Sequence, residues 1–314
     1  MKCSRLVIIA TFLLTLMPCA VRAQYDVVFS HYFDMQSSFN PAAAGKDTKL
    51  NVNLAYAMQM TGYEHSPQTA YLSGDMPFRS NNNKHGLGLM LINDNIGLFS
   101  HQRLCGQYAY HKTLGKGSIA MGVQAGLLSE KFKSSGLVLE ESNDPAFPNS
   151  DADGNTLDVG LGLYLKFPKW YVGVSAQHLT YPTVKLGEYN EISIDGTYYL
   201  TGGYDIQLPN PTLKIATSAL VRTDLVAYRA DITGRLIYSH EEKLMYAGAG
   251  YSPTNSITFY AGMQFQGIDL GYSYEAYTTA IGMEHGSHEI HIGYKTDVDL
   301  GKKGRNYHQA VRYL

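Results

Sequence analysis

The sequence predicts an all-β transmembrane outer-membrane β-barrel of about fourteen antiparallel strands. Three observations carry that reading. Apolar residues recur with period two, as at Leu50, Val52, Leu54, Tyr56 and Met58 between Asn51, Asn53, Ala55 and Ala57. Side chains alternate across a strand, so each such segment is apolar on one face only. Most segments run 9 to 13 residues, longer than a globular strand and close to the roughly 9–11 that a tilted strand needs to cross hydrocarbon. Finally, every gap of ten or more residues falls after an odd-numbered strand, which a barrel with short periplasmic turns requires and a soluble sandwich does not.

Composition sets the outer bounds. Of 314 residues 45% are hydrophobic and 17% charged, with 31 Gly, 25 Tyr and 1 Trp. A soluble domain carries about a quarter charged residues, and this much apolar surface excludes a disordered chain. The formal charge of -2 argues against a nucleic-acid-binding face, which needs an excess of Lys and Arg.

Taken in order, residues 1–23 read as a secretory signal peptide. Lys2 and Arg5 precede the run Leu6 to Met17, and Val21-Arg22-Ala23 leads to Gln24. Small residues flank the cleavage point, as such signals require. A lipoprotein signal ending at Cys19 is the alternative, poorly served by Pro18. Cleavage after Ala23 removes three basic residues and no acid. Cys105 is then left alone, without an intramolecular disulfide, and reads as a small buried or lipid-facing hydrophobe.

Residues 24–48 precede the first strand and hold Phe29, Tyr32, Phe33 and Phe39. That segment is too apolar to stay in solvent. It is expected either to plug the barrel mouth or lumen, with Asn40-Pro41 turning the chain and Gly45 releasing it, or to form a folded periplasmic cap.

The barrel is expected over 49–296, with strands at 49–60, 66–76, 84–93, 99–113, 117–129, 156–167, 170–179, 197–208, 212–222, 226–239, 243–251, 256–265, 268–276 and 287–296. The long gaps 130–155 and 180–196 belong outside the cell. A sheet edge in hydrocarbon leaves backbone groups unpaired, so the sheet must close. Inward positions read Gly, Asn, Gln, Asp, Lys and Tyr, a polar lumen. Leu161 is expected to face lipid and Gly160 the lumen, so Leu161→Arg should cost more than Gly160→Arg. A β-propeller or sandwich is the soluble competitor, disfavoured by strand length and loop asymmetry. Residues 297–314 form a basic C-terminal periplasmic tail. Lys302, Lys303, Arg305 and Arg312 stand there without an acid in 301–314, either as a solvated tail or docked on an acidic periplasmic partner.

Sites for chemistry are weak. Asn149, Asp151, Asp153 and Gly154 match the first half of a calcium loop, but the twelfth position is Gly160 where Glu is required, so a turn-forming acidic loop is the better reading. His285, His288, Glu289 and His291 cluster in sequence, yet His288 and His291 point to opposite faces of a strand. Gly86 and Gly88 lack the strand-turn-helix setting of a phosphate loop. Nothing calls for a cofactor or a catalytic role.

Short motifs in order carry a resemblance. Gln24-Tyr25-Asp26, Phe29-Ser30-His31-Tyr32 and Phe39-Asn40-Pro41-Ala42-Ala43-Ala44-Gly45 open the chain, followed by Pro67-Gln68-Thr69, Asp75-Met76-Pro77, Gly86-Leu87-Gly88-Leu89 and Asn93-Asp94-Asn95-Ile96-Gly97. Later come Tyr171-Val172-Gly173-Val174-Ser175 with His178-Leu179, Tyr199-Leu200-Thr201-Gly202-Gly203-Tyr204, Gly271-Tyr272-Ser273-Tyr274 and Gly286-Ser287-His288-Glu289-Ile290. The chain thereby resembles the PorP/SprF family, outer-membrane components of the type IX secretion system. Tyr25, His31, Ala43 and Ala44 depart from the usual pattern, and the basic tail is this chain's own. The resemblance implies a non-enzymatic barrel that supports export or surface attachment of cargo. Its implied partners are outer-membrane lipids, the periplasmic ring and motor, a peptidoglycan-binding lipoprotein and secreted cargo. Candidate partner contacts at family-motif positions are Phe29, Tyr32, Asn40, Pro41, Gly45, Asp75 and Asp94, joined by Lys302, Lys303, Arg305 and Arg312 of the tail. The alternative is a passive or substrate-specific pore.

The gap parity makes a direct prediction. Asn149→Cys, in a Cys105→Ala background, should react with an impermeant maleimide on intact cells. Labelling only after the outer membrane is broken reverses the orientation.

Overall fold

The computed structural model describes residues 26–27, 29–80, 83–134, 151–187, 190–278 and 285–297. The strands are β1 (Lys49–Met58), β2 (Gln68–Ser80), β3 (Asn83–Ile96), β4 (Phe99–Leu114), β5 (Gly117–Phe132), β6 (Ala152–Lys166), β7 (Trp170–Gln177), β8 (Thr183–Leu186), β9 (Asn190–Ser193), β10 (Thr197–Gln207), β11 (Leu213–Thr223), β12 (Tyr228–His240), β13 (Lys243–Ser252), β14 (Ser256–Phe265), β15 (Ile268–Tyr277) and β16 (Ser287–Asp297). All but β8 and β9 close into one antiparallel barrel of fourteen strands. β1 meets β16 in register from Lys49 opposite Asp297 to Met58 opposite His288. That pairing removes the last free edge, as hydrocarbon demands.

The period-two pattern sorts residues as predicted. Leu54, Leu72, Leu89, Leu161, Leu200 and Leu236 stand exposed on the outer wall, while Asn51, Asn53, Ser73, Gln107 and Gln124 are buried on the inner one. So broad an apolar exterior suits lipid and no aqueous surface. The strand ends that lead into the connections after odd barrel strands, Met58 and Gln68, Phe132 and Ala152, Gln177 and Thr197, and Tyr277 and Ser287 among them, lie at one rim; the turns 115–116, 167–169, 241–242 and 266–267 lie at the other, with Lys49 and Asp297.

Two details differ from the sequence reading. The gap 180–196 holds a hairpin, β8 against β9, whose Val184 and Leu186 join Ile194 in a cluster with Leu128, Phe132 and Ala152 of the wall. Strands of four residues are too short to display an alternation. Several wall strands also outrun their expected limits; β3 reaches Ile96 and β6 begins at Ala152, because pairing continues past the apolar band into water.

Gly160 faces inward but is not open space. A Cβ there would lie 2.8 Å from Gln124 Nε2 and 3.0 Å from the Ala176 carbonyl oxygen, so Gly160→Arg also disrupts packing and fails as the tolerated partner of Leu161→Arg. Gln264 serves instead, since it lines an open cavity at the short-turn rim. Leu161→Arg sets a charge against lipid at a cost of about 2–4 kcal/mol near the midplane. It should deplete the heat-modifiable, folded band on gels, whereas Gln264→Arg should retain it. Equal depletion by both would contradict the facing of these strands.

Candidate functional site

The candidate site is the lumen and the segment that occupies it. Residues 29–48 run through the barrel interior, preceded by Asp26 and Val27. Asn40 shapes the middle of this path: its Oδ1 accepts from the Ala42 N–H at 3.0 Å, with Pro41 at the first position of a 3-10 turn over Pro41–Ala43. Gly45 then takes φ +64, a left-handed conformation that favours glycine. Wall glycines let the turn lie against the sheet. A Cβ on Gly86 would fall 2.0 Å from the Ala44 carbonyl oxygen, one on Gly122 2.3 Å from Ala42 N, and one on Gly162 2.1 Å from Asn40 Oδ1.

Polar contacts hold the segment from all sides. Toward the short-turn rim, Gln107 donates to the Ser37 carbonyl (2.7 Å), Ser175 to that of Phe39 (2.7 Å) and Lys84 to that of Lys46 (2.8 Å). Asn40 Nδ2 donates to the Leu163 carbonyl at 3.1 Å, and Tyr164 donates to Gln36 Oε1 at 2.6 Å. Asp75 accepts from the Gly45 N–H (2.8 Å) and from Asn51 (3.1 Å). At mid-depth the Tyr32 hydroxyl donates to Thr233 Oγ1 at 3.1 Å, and the Arg235 guanidinium lies 3.4 Å above the Phe33 ring centroid. The N–H groups of Ser30 and His31 donate to the Glu289 carboxylate at 2.6 and 2.9 Å, and His31 Nδ1 shares a further hydrogen bond with it at 2.7 Å. Apolar contacts interleave: Phe29 and Met35 pack with Tyr71, Met90, Ile92 and Cys105.

Nearest the long-loop rim, four residues converge on Asp26. His178 Nε2 lies 2.9 Å from its carboxylate, Tyr199 donates to it at 2.5 Å, and Arg103 stands 3.8 Å away. Arg222 donates to the Asp26 backbone carbonyl at 2.6 Å. Asp158 completes the cluster, 2.9 Å from Arg103 and 3.2 Å from His178. Burial alone would lower the His178 pKa, but Asp26 and Asp158 raise it to about 9. Burial would likewise raise the Asp26 pKa, but His178 and Arg103 hold it far below the ordinary carboxylate range.

Six of the residues singled out by sequence therefore meet inside the barrel: Phe29, Tyr32, Asn40, Pro41, Gly45 and Asp75 are all buried. On the folded barrel they contact segment and wall. Asp94 is apart from them, accepting from Thr69 Oγ1 at 2.5 Å on the neighbouring strand. Lys302, Lys303, Arg305 and Arg312 lie outside the described residues, as does the signal segment 1–23. Of the calcium candidates, Asn149 lies outside the described residues, and Asp151 accepts from the Ser134 N–H at 3.0 Å. Asp153 and Gly154 belong to β6, opposite Lys131 and Glu130, so Gly154 makes no loop turn of the kind a calcium site needs.

A comparison with protein families matches residues 21–294 to the type IX secretion system membrane protein PorP/SprF model. The chain belongs to the PorP/SprF family. It is an outer-membrane protein. Among solved structures it is similar to the CymD monoaromatic hydrocarbon channel, at 12% identity over 88% of this chain and 95% of that one, with a TM-score of 0.52. Others are outer membrane protein Omp33 of Acinetobacter baumannii, at 8% identity over 80% and 100% with TM-score 0.45, and a Pseudomonas aeruginosa FadL homologue, at 14% over 82% and 92% with TM-score 0.44. The likeness is one of fold. A comparison with curated proteins found no match.

The Asp26 cluster of this PorP/SprF chain is absent from the sequence reading. Its signal was a parity one: Arg103, Asp158 and Arg222 sit at inward positions of strands, and a charge there requires a partner across the lumen. The cluster also yields a pH dependence. His178 has an ordinary pKa of 6.5, so its contribution to stability is complete below that value and is lost as pH rises through about 9. The Asp26 contribution is present above pH 3.8 and falls away only in strong acid. Between pH 7 and 9.5 the temperature at which the heat-modifiable band converts should therefore fall. His178→Asn should start lower and lack that fall. The same pH response in the parent and in His178→Asn would show that His178 does not clamp the segment, since any opposing gain from Lys46 is common to both.

Proposed function

We propose that this chain is a sealed docking barrel of type IX secretion. It holds periplasmic ring and motor components, a peptidoglycan-binding lipoprotein and cargo at its rims, and cargo passes elsewhere. The role is non-catalytic. One observation carries the reading: residues 29–48 occupy the lumen, with contacts that reach the wall from β1 round to β16. A passive or substrate-specific pore needs a continuous wet path, and the segment lies across it. The rims remain as working surfaces. With both barrel ends at the short-turn rim, that rim is periplasmic by the habit of bacterial barrels. The tail bearing Lys302, Lys303, Arg305 and Arg312 then adds positive charge on the periplasmic side, where several weak charges together steer encounter and select partners.

Purified protein in a planar bilayer should be non-conducting, and mild-detergent purification of the same protein should bring down type IX components identified by mass spectrometry. Deleting 301–314 should leave a folded barrel at normal abundance while weakening capture and cargo export. Steady conductance without captured machinery would favour the pore reading instead.

A further inference from the structure

At the short-turn rim the inner segment and the wall enclose a cavity of about 480 Å³ lined by Lys46, Asp47, Lys49, Lys166, Gln264 and Lys295, with Thr48, Asn51 and Gly267 completing it. This is the size of a small-ligand pocket. Four cationic side chains face one carboxylate. Asp47 is committed to Lys166 at 2.8 Å. Lys49 lies 3.5 Å from Asp297, and both side chains are open to water at 46% and 84% exposure. The Lys46 amino group donates to a neutral acceptor, Gln36 Oε1, at 2.6 Å. Among the described residues neither Lys46 nor Lys295 has a carboxylate within ion-pair distance. Burial lowers the Lys46 pKa to about 8, with Lys166 and Lys295 adding to the fall and Asp47 and Asp75 opposing it.

The chemistry calls for carboxylates from outside the chain. Asn51, Gln264 and Lys295 point inward, while their neighbours Leu50, Val52, Met263, Phe265 and Tyr294 face the lipid side. A phospholipid anchored by its acyl chains outside the wall therefore cannot place its phosphate in this cavity. A peptide arriving from the aqueous side can. The chain's own tail is disfavoured by sign, since 298–314 carries Lys302, Lys303, Arg305 and Arg312 against the single acidic side chain of Asp299.

We propose that this lysine-lined mouth binds an acidic peptide segment of a partner protein, received at the periplasmic rim. The site deepens the docking reading and rests on it for the periplasmic side. It supplies one arm of recognition inside the barrel mouth, where partial burial makes each ion pair stronger than on an open surface.

The test uses the full chain purified in detergent and a fluorescein-labelled hexaglutamate peptide, followed by polarisation. The parent protein should bind the peptide. Lys46→Gln/Lys295→Gln should weaken binding at least tenfold, and Lys295→Gln alone should weaken it severalfold without disturbing the inner segment. Lys112→Gln/Lys116→Gln, on the same rim but outside the cavity, should change it less than twofold. Heat-modifiable mobility confirms that each variant is folded. No peptide binding by the parent protein, or equal losses in cavity and control variants, overturns the site. Displacement of the peptide by phosphatidylglycerol micelles as readily as by unlabelled hexaglutamate assigns the cavity to lipid phosphate and also overturns it. Capture of type IX machinery is measured separately, so a failed peptide site and a failed docking reading give different results.

Discussion

Hydrocarbon offers no partner to a backbone N–H or carbonyl, and the rest of this structure follows from that constraint. Closing the sheet between β1 and β16 satisfies the wall, but a closed sheet of fourteen strands encloses a lumen. The alternation that gives lipid an apolar face turns polar and charged side chains inward. Buried polar groups are costly unless paired, and Asp26 and residues 29–48 partner many of them. Carbonyls of Ser37, Phe39, Ala44 and Lys46 accept from wall side chains, while Glu289 and Asp75 accept from segment N–H groups. The segment functions as the inner half of the wall's hydrogen-bond system.

Close approach needs small residues on both partners. Glycine inside a strand weakens it, yet Gly86, Gly122 and Gly162 each stand where a Cβ would strike the segment's backbone or Asn40. The Ala42-Ala43-Ala44 run is correspondingly slim. Gly86-Leu87-Gly88-Leu89, which has the look of a ligand loop when read as text, is instead an alternation of lipid-facing leucines with inward glycines that accept the turn at Ala44 and Gly45.

Period and parity made the barrel legible. Leu54, Leu89 and Leu161 announced an outer face, and gap lengths announced two unlike rims. Inner contacts were less legible, because they join residues far apart: His31 meets Glu289 and Asp26 meets His178, and no local pattern records such distances. Phe29, Tyr32 and Phe39 showed that the N-terminal segment seeks burial without showing where. The hairpin of β8 and β9 was hidden by its shortness. His288 and His291 illustrate what strand geometry does deliver: His288 turns outward to the Tyr272 hydroxyl, and His291 turns inward to stack on His31.

Charge is distributed differently in the lumen and at its mouth, and the contrast separates two kinds of work. Inside, Arg103 and His178 share Asp26 and Asp158, and Arg229 has Asp231 and Glu275. Removing one partner from such a pair leaves a buried charge uncompensated, so these groups fix the fold and are unavailable to anything outside. At the short-turn rim Lys46 and Lys295 feel Asp47, Asp75, Asp34 and Asp269 only from beyond ion-pair distance, and Lys46 donates to the neutral Gln36. Without a carboxylate at contact distance, these lysines keep attraction for one that reaches them. The proposed docking role draws on this contrast: the internal charges hold the barrel's own segment, and the lysine-rich mouth faces the rim where a partner would arrive.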